Sequence, residues 1–199
     1  MADYPAELEE QVRLGEGVTV FLRPIRRGDG PLLQDLFDHM SPEDRRLRFF
    51  APIRHLSEEL VRQLTETDYE TRIALLAFAS DSGAVLGVAR LATEPPTPRD
   101  RRSRGDPDDK SRAEFAVALR SDWHGHGLGW LLMQRMLALA ARLKFGEVFG
   151  IVLRENETML AMCREMGFTV EAAPDEAEAV IVRRRVATQG GSHAAQGKP

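Results

Sequence analysis

The apolar positions of this chain change period several times, and each change marks an element. Val18 to Arg23 is a β-rich run ended by Pro24, which predicts a strand. Leu32, Leu33, Leu36, Phe37 and Met40 then recur at helical spacing behind Pro31, a residue suited to a first helical turn. Ser41-Pro42-Glu43-Asp44 is a helix start, with Ser41 as cap, Pro42 at the first position and Asp44 three residues after the cap; that helix carries Arg45, Arg46 and Arg48 before Phe49-Phe50. Ser57-Glu58-Glu59-Leu60 opens a third helix in the same way, with Leu60, Val61 and Leu64 inward. Ile73 to Ala79 and Ala84 to Leu91 are apolar strands, and Asp81-Ser82-Gly83 between them is a hairpin signal. Residues 93–110 hold four prolines and many charges without periodicity, which predicts a flexible loop.

The second half has the more informative pattern. Glu114-Phe115-Ala116-Val117-Ala118-Leu119 alternates as a strand, the cluster His124-Gly125-His126-Gly127-Leu128-Gly129 follows, and an apolar run from Leu128 to Leu143 leads into a helix over about 127–144. Gln134, Arg135, Ala138 and Arg142 fall on one stripe of that helix and the rest is apolar, so it should lie largely buried against a sheet. Val148 to Leu153 predicts a strand and Asn156 to Met166 a helix ended by Gly167, while Phe168 to Glu171 and Ala179 to Arg185 read as a closing strand pair. A glycine turn at a helix start exposes backbone N–H groups at the positive end of the helix dipole, which makes it an anion site whose default ligand is a phosphate.

Composition narrows the partners. With 199 residues and no break in composition, the chain reads as one domain over 18–186, with an acidic, loosely held extension at 1–17 that includes a short helix at Pro5 to Val12, and a disordered tail at 187–199. A net charge of -4 argues against a nucleic-acid partner. The single cysteine, Cys163, excludes an internal disulfide and a cysteine-based metal site, and the histidines form no metal-type pair on a helix face. No apolar run reaches about 18 residues and the acidic start is unlike a signal peptide, so no membrane role and a cytoplasmic location are expected.

Strand, glycine loop, helix, strand, Asn-initiated helix and Gly-Phe, in that order, resemble the GNAT family of N-acetyltransferases. The family loop carries Arg or Gln, two residues, Gly, one residue, then Gly or Ala. Here His124 stands at the first position, and Asn156 with Gly167-Phe168 matches the second family signature. The resemblance implies a mixed, mostly antiparallel central sheet flanked by helices, an α/β (α+β) acyl-CoA N-acyltransferase fold with acetyl-CoA as cosubstrate. Ser41 to Asp44, Arg48-Phe49-Phe50, Ala113 to Val117, Ser121-Asp122-Trp123, Leu153 to Asn156 and Met159 are together similar to the acetyltransferase domain of bacterial protein lysine acetyltransferases. That likeness implies a protein substrate with a reactive lysine, such as an acyl-CoA synthetase. The synthetase-like domain to which those enzymes are often fused is not in this sequence.

Acetyl transfer consumes a neutral amine, whereas a lysine side chain has a pKa of about 10.4, so a general base is required. Strand alternation puts Glu114 on the same face as the small Ala116 and Ala118, and the resemblance implies Glu114 as that base; its plainer role is an edge carboxylate paired with an arginine. The resemblance also implies that the main chain near Val117 and Leu119 holds the pantetheine arm. His124, Gly125, His126, Gly127, Leu128 and Gly129 would hold the pyrophosphate. Asn156 either contacts the cofactor or caps its helix. Many relatives have a tyrosine seven residues after this Asn to protonate the departing thiolate; this chain has Cys163, read as a buried small hydrophobe rather than an acetyl relay. Arg45, Arg46 and Arg48 read as a solvated helix face. Two further readings remain open: a small-molecule amine as acceptor, or a non-catalytic acyl-CoA sensor. A dinucleotide site would want Gly-x-Gly-x-x-Gly, a spacing that Gly125, Gly127 and Gly129 do not fit.

Overall fold

The computed structural model describes residues 3–93, 112–173 and 177–186. They form strands β1 (Glu10–Arg13), β2 (Thr19–Pro24), β3 (Arg72–Ala79), β4 (Val85–Ala92), β5 (Arg112–Leu119), β6 (Glu147–Leu153), β7 (Thr169–Ala172) and β8 (Ala179–Arg185). The helices are α1 (Gly30–Asp38), α2 (Pro42–Phe49), α3 (Glu58–Thr65), α4 (Leu128–Arg142) and α5 (Glu157–Glu165). The strands make one sheet in the order β1-β2-β3-β4-β5-β6-β8-β7, antiparallel throughout except for the parallel pair β5 and β6. A mixed, mostly antiparallel sheet flanked by helices is therefore the observed architecture.

Both faces of the sheet are covered, which explains why β3 and β4 read as nearly continuous apolar runs. One layer packs α4, through Leu128, Leu132, Met133 and Met136, onto Ile73, Leu75, Leu91, Ala113 and Phe115. The other packs Leu33, Leu36 and Phe37 of α1 onto Ala74, Leu76 and Val85. The stripe on α4 has a use: Arg135 pairs with Glu10, its Nη2 donating to Oε2 at 3.0 Å, and Arg142 pairs with Glu7.

These pairs correct the expected loose extension. In place of a helix over Pro5 to Val12, Ala6–Leu8 makes one 3-10 turn and Glu10–Arg13 adds an edge strand, in register from Glu10 opposite Leu22 to Arg13 opposite Thr19. Acidic residues that look like a solvated tail in one dimension meet arginines distant in sequence, and β2 offers an open ladder edge. The expected loop at 93–110 beyond Thr93 and the tail from Ala187 lie outside the described residues.

Candidate active site

β5 and β6 are paired only at their beginnings, from Arg112 opposite Glu147 to Glu114 opposite Phe149. Beyond Glu114 they part, β5 continuing along β4 to Leu119 and β6 along β8 to Leu153. A residue pair stands at the fork. The Phe115 ring lies against Gly150, so close that a Cβ at Gly150 would be 2.6 Å from ring atom Cε1, and it packs edge-on against Phe168 at 5.5 Å between centroids. Phe115 and Gly150 are the residues that follow the last β5–β6 pair, and the ring covers Gly150 where the two strands part.

The parted strands open into a cleft of about 720 Å³, within the roughly 300–1,000 Å³ usual for small-molecule and cofactor sites. Glu114, Val117, Leu119, His124, Gly125, Gly127, Gly129 and Asn156 all line it, so most residues singled out from the sequence meet in one place. His126 and Leu128 are placed differently. The His126 ring is turned onto its own loop, with Nδ1 at 3.0 Å from the His124 carbonyl oxygen and the ring tilted against Trp123 at 5.4 Å between centroids, and the Leu128 side chain is fully buried in the core.

The glycine turn aims a helix at the cleft. Gly125 and Gly127 have φ of 79° and 80°, left-handed conformations that a side chain disfavours. They swing the chain from a 3-10 turn at Ser121–Trp123 into α4, whose first intrahelical bond runs from the Leu131 N–H to the Gly127 carbonyl at 3.0 Å. The N–H groups of Leu128, Gly129 and Trp130 precede that bond at the positive end of the helix, an arrangement suited to a phosphate. Across the cleft, Asn156 Oδ1 accepts from the Met159 N–H at 3.0 Å, so the capping role is present, and the same carboxamide borders the cleft. The exposed large hydrophobics among the described residues, Phe50 and Trp130, both stand on the cleft's rim.

α2 forms a wall that the sequence did not suggest. Its cap is shared with the loop: the Ser41 hydroxyl accepts from the Asp44 N–H at 3.0 Å, while the Ser41 N–H donates to Ser121 Oγ at 2.7 Å and that hydroxyl donates to Asp44. His124 Nε2 lies 3.9 Å from Asp44 Oδ1. Thus fastened, α2 presents Glu43, Asp44, Leu47 and Arg48, one helical face, to the cleft. The solvated reading of its arginines suits Arg46 best, partly exposed and paired with Glu155; Arg45 lies 4.2 Å from the Phe37 ring centroid; Arg48 is half-buried beside the cleft. The signal available in the sequence was the shared angle of Asp44, Leu47 and Arg48.

Desolvation pushes the Arg48 guanidinium down to about 10, with Glu114 pulling it back up and Arg90 adding to the depression. Arg90 is likewise lowered by desolvation, against the attraction of Glu114. Both remain cations at neutral pH. Burial pushes the Cys163 thiol up to about 11, more than Arg164 offsets, and Cys163 is enclosed in the core. A thiol so placed is a packing group, not a nucleophile. Among the described residues no group of three or more His, Cys, Asp or Glu side chains is placed to hold a metal ion.

Comparison with known proteins agrees with this fold. Residues 33–168 match the model of the acetyltransferase (GNAT) family. An acetyltransferase of Pseudomonas aeruginosa is 27% identical over 172 residues, spanning 85% of this chain and 86% of its own. The crystal structure of the GNAT domain of PAT from S. lividans superposes with a TM-score of 0.78 at 25% identity, covering 92% of this chain and 99% of that one. A putative acetyltransferase from Salmonella typhimurium, solved with acetyl-CoA, shares the fold with a TM-score of 0.62 at 16% identity, covering 88% and 98%.

Proposed function

Because the chain belongs to the acetyltransferase (GNAT) family, we propose that it transfers the acetyl group of acetyl-CoA to a lysine side chain of a protein substrate, with Glu114 as general base. The observation that carries this reading is the fork of β5 and β6, with Glu114 at its apex and the glycine turn at its mouth. Likeness to the GNAT domain of PAT favours a protein acceptor, and an acyl-CoA synthetase is the protein class to test first.

The residues divide the work by position. The β5 main chain near Val117 and Leu119, without a strand partner toward β6, would hold an extended arm, and the backbone at His124 to Gly129 with Asn156 would hold a pyrophosphate. Acetyl-CoA supplies the thioester. At pH 7 roughly one lysine amine in a few thousand is neutral, so Glu114 takes the ammonium proton, directly or through water. The freed nitrogen lone pair forms the new C–N bond as the C–S bond breaks, and the proton then in excess on nitrogen passes to the departing thiolate, leaving the amide and the free thiol of coenzyme A. Cys163, enclosed in the core, takes no part. We assign the reaction to the cytoplasm; no described helix is long and apolar enough to cross a membrane.

Incubation with labelled acetyl-CoA and a panel of acyl-CoA synthetases, polyamines and amino acids tests the acceptor, and label found only in small amines overturns the protein-substrate reading. Glu114→Gln should lower turnover about 100- to 10,000-fold while acetyl-CoA still binds. Unchanged turnover removes Glu114 from the reaction. The small-molecule alternative draws support from a recess of about 30 Å³ lined by Arg48 and Arg90, the two arginines on which Glu114 acts.

A further inference from the structure

Cross-strand register assembles a patch on the α2 side of the sheet. Arg90 stands opposite Ala116 on one side and Ala74 on the other, and Ala92 stands opposite Glu114. Opposed side chains share a face, so Arg90 and Glu114 are diagonal neighbours surrounded by methyl-sized residues. Arg48 reaches the same patch from α2. It borders both the main cleft and the recess that Arg90, Ala116 and Ala118 line from the sheet, whose other walls are apolar, among them Leu33, Phe37 and Val88.

Two half-buried guanidiniums thus meet one carboxylate. Among the described residues Glu114 is the only opposite charge acting on either arginine, whereas the nearby Arg72 has Glu66 at 3.5 Å and Asp68 at 3.8 Å. Cations held out of water call for counter-charge, and the alanines leave room for it where larger side chains would have filled the space. We propose that Arg48 and Arg90 form an anion subsite for the acceptor, holding a carboxylate that lies close to the amine delivered to Glu114. The recess admits roughly one or two water-sized groups, the size of a carboxylate end. This inference rests on Glu114 acting in an N-acetyltransferase. The carboxylate comes either from a free amino acid or from an acidic side chain beside the target lysine of a protein.

Initial rates with acceptor pairs that differ only in the carboxylate test it: lysine against cadaverine, and lysine peptides with glutamate or glutamine next to the lysine. The full chain should favour the acidic member of at least one pair by about 10- to 100-fold in kcat/KM. Arg90→Gln and, separately, Arg48→Gln should bring that ratio toward one, chiefly through KM, and Arg90→Lys should retain part of it. Preference confined to the first pair assigns the free amino acid; preference confined to the second assigns the protein side chain. A wild-type ratio near one in both pairs while transfer proceeds overturns the subsite and leaves the N-acetyltransferase reading standing, as does a ratio that neither glutamine variant alters. Transfer to no acceptor overturns both.

Discussion

Replacing Gly150 by alanine tests whether the Phe115 ring wedges the two central strands apart. The added Cβ would lie 2.6, 2.8 and 3.1 Å from three ring atoms, against an ordinary contact distance of 3.4–4 Å. The ring, buried and backed by Phe168, must give by close to 1 Å. Overpacking of that kind costs about 1–3 kcal/mol, and replacing a strand glycine returns about 0.5–1 kcal/mol. The net expectation is about 1–2 kcal/mol, or a fall of about 2–8 °C in Tm for a chain of this size. Displacing the ring also alters the fork, so acetyl-CoA affinity should drop about fivefold, corresponding to about 1 kcal/mol. Urea unfolding and a calorimetric acetyl-CoA titration measure the two effects. Phe115→Leu removes the ring atoms in question, so the double variant should be less destabilised than the sum of the singles by about 1 kcal/mol. Strict additivity, or a Gly150→Ala protein as stable as wild type with unchanged acetyl-CoA affinity, would refute the wedge.

Three other perturbations probe the glycine turn, the buried thiol and the Asp68 turn. Gly127→Ala meets no side-chain obstacle, since nothing lies within 4 Å of its Cβ position, yet its φ of +80° should cost about 1–2 kcal/mol in thermal unfolding and weaken acetyl-CoA binding. Cys163→Ala should leave transfer rates within about twofold while costing about 1 kcal/mol of core packing; mass-spectrometric capture of an acetyl group on Cys163 would contradict its structural role. Desolvation raises the Asp68 carboxyl, but the Thr71 hydroxyl and the N–H groups of Arg72, Glu70 and Thr71 outweigh it and bring the group from 3.8 to about 2. Its contribution is therefore complete above about pH 4 and fades as pH falls toward 2. Discounted for solvent screening it amounts to about 1 kcal/mol, and Asp68→Asn should remove it at pH 7 and flatten the acid limb of the unfolding curve.

Periodicity alone was enough for most of the fold. The caps at Ser41 and Ser57 appear where their hydroxyls accept N–H groups, from Asp44 and Leu60, and the apolar run after Gly127 is buried along one face of α4. These features follow from interactions between residues three or four apart, which a linear sequence displays. The glycine turn was legible for a similar reason, because a left-handed backbone imposes a demand that one or two residues satisfy by themselves. What depended on tertiary structure joins distant segments. β1 needed the open edge of β2 and the arginines of α4. The α2 wall needed Ser121 to complete its cap, and the Phe115 ring needed a glycine at 150 to pack where the strands part. Most of all, the sequence shows Arg48, Arg90 and Glu114 as unrelated charges on a helix and two strands. Only sheet register and the placement of α2 bring the two arginines to one recess with Glu114 acting on both, because electrostatic partnership is decided by distance in space.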